Sequence, residues 1–343
     1  MEEMIATKKQ QIDSEASQSS TVDILAQLIQ HNEEDSSALT DNEVLGNLFF
    51  FIIAGHETTA SSLHMSILLL ALHPKIQSEV QRELAEILGD RPPSEWSYEH
   101  DLPRLFNGIL HAVLLEELRL VSPILTIPKV VCSRPQHIMI NGRETTLPAN
   151  TTIRLCMSAV HVNSRFWPHE APTDPQNPIF PLDNLDNDLE EFKPQRWFKP
   201  GVKPMQSLVN ENANGKPHEF DTQTSIAGSA SRLYTPAKGS YIPFGEGQRS
   251  CLGRRFAQVE ILTALAVVFS QYSVELAVGE WSSDREVSEM TKEQRKETWN
   301  KAAEIARRAW KEKLTSGLTV KLRGDAHVPF RFVKKGKESF FDL

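Results

Sequence analysis

Apolar and polar positions recur with a helical period over most of the first three quarters of the chain. In TVDILAQLIQ (21–30), Val22, Leu25, Leu28 and Ile29 share one stripe. Thr40 followed by Glu43 is a capping-box pattern. It opens the most apolar stretch, 44–72, which contains GNLFFFIIAG and SSLHMSILLLAL. His73-Pro74 predicts the end of that helix, because the residue before a proline is pushed out of the α region. A charged amphipathic helix is predicted over 75–88, closed by Gly89, and another over 105–120, stopped by Ser122-Pro123. Two short strands, 137–140 and 151–155, are predicted to be linked through the Asn141-Gly142 turn.

The stretch 168–240 is proline-rich and reads as loop, with 210–231 having the composition of a disordered segment. An apolar helix is predicted over 256–269, and strands over 273–278, 317–322 and 328–334. Between the first two of these strands, 284–314 reads as one highly charged helix with Trp299, Ala302, Ala303, Ala306 and Trp310 on a single face. The expected fold class is mainly α with small β-sheets.

Composition narrows the function classes. The formal net charge of −8 argues against a nucleic-acid partner. Three cysteines, Cys132, Cys156 and Cys251, are far apart and odd in number, which is neither a disulfide framework nor a zinc pattern. Cys132 and Cys156 are expected to be small buried apolar residues. The opening MEEMIATKKQQIDSEASQSS lacks an apolar core and does not read as a secretory leader. The 44–72 stretch is long enough to span a bilayer, but His56 and Glu57 sit at its centre. An ionised carboxylate there costs about 2.5–3.5 kcal/mol. A helix buried in protein is expected instead, and no transmembrane segment.

The chemistry concentrates in Phe244-Gly245-Glu246-Gly247-Gln248-Arg249-Ser250-Cys251-Leu252-Gly253. Cys251 precedes a predicted helix, where unpaired N–H groups and the helix dipole favour negative charge on sulfur. Gly247 permits a tight turn. Arg249 suits a carboxylate partner. This segment resembles the haem-binding loop of the cytochromes P-450, F-x-x-G-x-R-x-C-x-G, at every fixed position.

The resemblance extends along the chain in order. Ala54-Gly55-His56-Glu57-Thr58-Thr59 is similar to the family's [AG]-G-x-[DE]-T-[TS] motif. Glu116-Glu117-Leu118-Arg119 carries its E-x-x-R, and Phe192-Lys193-Pro194-Gln195-Arg196-Trp197 (192–197) its F-x-P-x-R-[WF]. The resemblance implies the carboxy-terminal bulk of the cytochrome P-450 fold as a single domain over 1–343. Its landmarks are a distal helix (44–72), an E-x-x-R helix (105–120), a haem loop and following helix (244–269) and an inserted charged helix (284–314). It implies iron protoporphyrin IX (heme b), with Cys251 as the axial iron ligand and Arg249 on a propionate. Phe244, Gly247 and Gly253 would shape the haem cradle, and Glu57 and Thr58 would relay protons to dioxygen. Glu116, Arg119 and Arg196 would form a buried structural triad.

The implied activity is monooxygenation of a hydrophobic small molecule, possibly in secondary metabolism, with electrons from an NADPH-dependent flavin-containing reductase. For a full-length relative the implied location is the cytoplasmic face of the endoplasmic reticulum. The wording is most like that of filamentous-fungal microsomal members. The sequence departs from the pattern in Leu-Val-Ser-Pro after Arg119, in HVNSRFWP, in extra residues over 171–189, and in the family's N-terminal helices and sheet, expected before Met1. The alternatives are a haem-thiolate isomerase or lyase and a non-catalytic remnant. Between Arg232 and Arg255 five basic residues stand against one acid, Glu246, a patch expected to steer the acidic reductase.

Overall fold

The computed structural model describes residues 2–14, 25–29, 39–173, 186–201 and 232–343. It divides into two compact units, Met1–Thr59 and Ala60–Leu343. The predicted segment 210–231 lies outside the described residues, as do residues 21–24 and 30 of the first predicted helix, whose residues 25–29 are helical.

In the first unit, helix α1 spans Glu2–Ser14, and helix α2, Asp41–Leu72, begins. The capping box at the start of α2 is formed. The Thr40 N–H donates to Glu43 Oε2 at 2.7 Å, and the Glu43 N–H donates to Thr40 Oγ1 at 3.4 Å. Ile5, Ile29, Val44 and Leu48 make a small apolar cluster. The expectation that all of 44–72 is buried fails here. Phe49, Phe50, Ile52 and Ile53 are exposed, whereas Met65, Leu68, Leu69 and Leu70 of the second unit are fully buried. No described helix is long and apolar enough to cross a membrane.

The second unit holds the main core. Helix α3 (Pro74–Leu88) starts on the proline that ends α2, because proline needs no N–H partner at a helix's first position. Gly89 ends it with φ 59°. The helix predicted over 105–120 is two helices, α4 (Asp101–Phe106) and α5 (Ile109–Val121), broken at Asn107-Gly108. The break has a physical cause. Glu83 of α3 inserts its carboxylate at the start of α5, where Oε1 accepts the Ile109 N–H at 2.7 Å. Burial pushes this carboxyl up to about 7. Every residue of α5 is buried.

The sheets are small antiparallel pairs. Strands β2 (Gln136–Ile140) and β3 (Arg143–Leu147) flank the Asn141-Gly142 turn, whose positive φ angles of 49° and 77° suit a tight hairpin. The strand predicted at 151–155 is therefore not its partner: β4 (Thr152–Cys156) pairs with β1 (Thr126–Val130). After helices α6 (Met157–His161) and α7 (Arg254–Gln271), β5 (Tyr272–Leu276) pairs with β8 (Phe330–Lys334). The predicted charged helix over 284–314 is also two, α8 (Asp284–Glu289) and α9 (Lys292–Lys313). Each starts on its own capping box, Ser283 with Glu286 and Thr291 with Gln294. Strands β6 (Leu314–Ser316) and β7 (Val320–Leu322) follow. Ala302, Ala303, Ala306 and Trp310 bury the inner face of α9 in the main core.

Gly108 is the position where this packing tolerates no side chain. A Cβ there would run into the Glu83 carboxyl. Gly108→Ala is expected to destabilise the second unit by about 1–3 kcal/mol, the usual cost of overpacking. A lowered denaturant midpoint at unchanged m-value checks this.

Candidate functional site

Cys251 lies on a loop that the backbone holds in shape. The Gly245 N–H donates to the Ile242 carbonyl at 2.9 Å, the Cys251 N–H to the Phe244 carbonyl at 2.7 Å, and the Ser250 N–H to the Gly247 carbonyl at 3.0 Å. Two of these turns need left-handed backbone, supplied by Gly245 (φ 68°) and Gly247 (φ 78°). Helix α7 begins three residues after the cysteine, with Gly253 at its cap. Arg254 clamps the loop: Nη2 donates to the Gly245 carbonyl at 3.1 Å, and its guanidinium lies 5.5 Å from the centre of the Phe244 ring.

The thiol of Cys251 is exposed, and so are its apolar neighbours Leu252 (86%) and Phe256 (65%). A Cβ added at Gly253 would meet nothing within 4 Å. Arg249 is exposed, and the one acid on the loop, Glu246, is exposed too. An accessible thiol at a helix start, bordered by solvent-facing apolar side chains and a cation, fits a flat apolar group that carries carboxylates. Cys132 and Cys156 are exposed rather than buried as expected, because they sit on and beside the two-stranded β1–β4 sheet, much of which faces solvent. The basic patch is smaller than its sequence suggests. Arg254 and Arg255 are half-buried, and Arg255 stacks 4.1 Å from the centre of the Phe106 ring.

Behind the loop the structure brings Glu116, Arg119 and Arg196 together. Glu116 and Arg119 are fully buried, and Arg196 is nearly so. Glu116 Oε2 accepts from Arg119 Nε (2.8 Å) and Trp197 Nε1 (2.9 Å). Its Oε1 accepts from Arg119 Nη2 (2.9 Å), Arg196 Nε (2.9 Å) and the Lys193 N–H (3.1 Å). Burial opposes charge on Glu116, but the two guanidiniums outweigh it and hold the carboxyl below its ordinary value. Asp188 completes the set with Arg196 Nη1 at 3.5 Å and Lys193 Nζ at 2.8 Å.

His161 joins this cluster to the cysteine loop. Its carbonyl accepts from Arg119 Nη1 at 3.0 Å, and its Nε2 accepts the Ile242 N–H at 2.9 Å. With Nε2 an acceptor, the proton is on Nδ1, which faces the Arg119 carbonyl at 3.2 Å. Burial lowers this imidazole to about 4, so it stays neutral. Sequence reading missed His161 and Asp188, which lie in the two segments that depart from the motif pattern. A histidine at the end of α6 carried no spacing signal of its own.

Glu57 and Thr58 belong to the first unit. Glu57 is exposed, not in the dry surroundings expected of it, and Thr58 Oγ1 donates to the Ala54 carbonyl at 2.7 Å.

The family model for Cytochrome P450 matches residues 1–177 and 190–298. A cytochrome P450 monooxygenase of Arthrobotrys oligospora is 32% identical over 248 residues, covering 68% of this chain and 35% of the relative. A ganoderic acid synthetase of Ganoderma lucidum is 29% identical over 269 residues (74% and 41%), and cytochrome P450 3A13 of Mus musculus is 28% identical over 243 residues (71% and 36%). The chain thus spans little more than a third of the length of the curated relatives it matches.

The triad yields a stability prediction. Arg119→Ala leaves Glu116 buried with a bidentate partner removed and is expected to cost about 3–5 kcal/mol. Urea denaturation of soluble protein, or its loss from the soluble fraction, is the measurement.

Proposed function

We propose, for a chain that belongs to the cytochrome P450 family, that Cys251 is the axial thiolate of a haem and that the protein is part of a monooxygenase acting on a hydrophobic small molecule. The family implies a haem cofactor. The observation that carries the assignment to Cys251 is the exposed thiol on a loop fixed by backbone bonds, with Leu252 and Phe256 facing solvent beside it.

When bound, the haem supplies the activation of dioxygen. The rest falls to this chain's residues. Cys251 presents its sulfur from the start of α7, where the helix N-terminus favours negative charge. Leu252 and Phe256 offer apolar surface to one face of iron protoporphyrin IX (heme b), and Gly253 leaves room for its approach. Arg249, exposed and cationic, holds a propionate. Arg254 keeps the loop in shape through the Gly245 carbonyl, so its part is positioning. Glu57 and Thr58 move protons: the carboxylate takes them from solvent and the hydroxyl passes them on. Thr58 Oγ1 now donates into its own helix, and turning from the Ala54 carbonyl frees that donor.

Electrons come from an acidic, NADPH-dependent flavin-containing reductase, and a role in secondary metabolism fits the fungal relatives. With Arg254 engaged by the loop and Arg249 assigned to a propionate, the exposed docking charge of this segment rests on Lys238. Location at the endoplasmic reticulum, through segments of a longer relative, belongs to the same proposal.

Two experiments test this reading. The reduced, carbon-monoxide-treated protein reconstituted with haem is expected to show a thiolate-type Soret band. Cys251→Ser should remove that band while Cys132→Ser and Cys156→Ser leave it. Loss of the band in either of the latter two, with Cys251→Ser unaffected, overturns the assignment. Thr58→Ala is expected to keep the band yet divert reducing equivalents to peroxide, read as the ratio of peroxide to NADPH consumed. Unchanged coupling would make the hydroxyl purely structural.

A further inference from the structure

Glu117, beside the triad on α5, is fully buried, and neither of its carboxyl oxygens has a hydrogen-bond partner of good geometry. A buried carboxylate without partners is among the most costly arrangements in a protein interior. Its surroundings offer no compensating charge. On the same helix Glu116 is saturated by Arg119 and Arg196, and Arg119 spends its three donor atoms on Glu116 and the His161 carbonyl. Within the triad cluster, Arg119 and Arg196 are paired with Glu116 and Asp188, and Lys193 with Asp188 and Glu170, so that each of these cations already has an acid of its own. From the cysteine loop comes the phenol of Tyr241, whose hydroxyl donates to the Leu115 carbonyl at 3.1 Å. Arg254, at the start of α7, is already bonded to that loop. From α6 comes His161, which is neutral. From α2 comes Ser62, itself 1% exposed.

We propose that Glu117 is a neutral carboxylic acid in the folded protein, beside the Ser62 hydroxyl, and that its ionisation is an alkaline trigger that loosens α5 from its packing. Burial pushes the Glu117 carboxyl well above the usual carboxylate range. The Ser62 hydroxyl acts weakly the other way, close enough to interact but not in good hydrogen-bond geometry. The Tyr241 phenol is also driven up, first of all by its burial, so it supplies no negative charge of its own. The proton that leaves Glu117 goes to water when the packing opens, and the carboxylate left behind is stable only in the opened state.

The sign follows from linkage. A carboxyl raised on folding favours the folded state below its unfolded value, and that advantage is lost as pH rises toward the folded value. Over that window the folding equilibrium constant of the parent falls about tenfold per pH unit relative to a variant that cannot ionise.

Infrared difference spectroscopy at pH 8 of the full chain against Glu117→Gln tests the protonation state. The expected result is a protonated-carboxyl C=O band, sensitive to deuterium exchange, present in the parent and missing in the variant. Glu83 appears equally in both spectra and cancels. Denaturation from pH 5 to pH 9 should show the parent losing stability relative to Glu117→Gln as pH rises. If Glu117→Gln does not fold, Ser62→Ala replaces it, and the carboxyl band should then shift in frequency without disappearing. No band assignable to Glu117, or parallel stability profiles for parent and variant, would overturn the proposal.

Discussion

The second unit depends on one buried carboxylate. Glu116 accepts five hydrogen bonds, from two guanidiniums, an indole and a backbone amide, and those donors come from two separated stretches of chain, α5 itself and residues 193–197. No water can replace any of them without first being buried, so the arrangement is held all or none. Because α5 is buried along its whole length, a charge on it must be answered inside the protein. Arg119 answers from one turn along the helix, and Arg196 answers from the Pro194–Trp197 turn, which is thereby pinned against α5.

The same cluster reaches the cysteine loop through a single residue. Arg119 grips the His161 carbonyl, and the His161 ring accepts the Ile242 N–H two residues before Phe244. The imidazole can do this only while neutral, and burial keeps it so. Rigidity that originates in a buried ion cluster is in this way handed to a loop whose thiol and apolar neighbours face solvent. Site precision without burial of the reactive group needs such a supporting layer.

What was legible in the sequence was local. Glu116 and Arg119 stand one turn apart, and a spacing of three on a helix puts two side chains on one face. Thr40 and Glu43, Pro74, Gly89 and Asn141-Gly142 each declare a boundary through their own backbone or side-chain chemistry, and each boundary is where the structure has it. What was illegible was long-range. The break at Asn107-Gly108 exists because the carboxyl of Glu83, 26 residues before Ile109, occupies the space a continuous helix would fill. Strand β1 was missed because Pro128 lies inside it, which a two-stranded sheet tolerates at an edge. The exposure of Cys132 and Cys156 follows from that same thin sheet, whereas an apolar preference alone favours burial.

Charge is handled in opposite ways on the two sides of α5. Toward Arg196 the cations and anions match, and each acid sits below its ordinary value because guanidinium and ammonium groups outweigh the cost of burial. Toward Ser62 there is an acid with no cation, and burial acts on it nearly unopposed. Adjacent glutamates on one helix are therefore shifted in opposite directions, since a helix turns successive side chains about 100° apart into different surroundings. A single added proton is a cheaper neutraliser than a third buried cation, which would have to be desolvated as well. The helix that anchors the fold thus combines a face where buried charge is matched with a face where burial disfavours it.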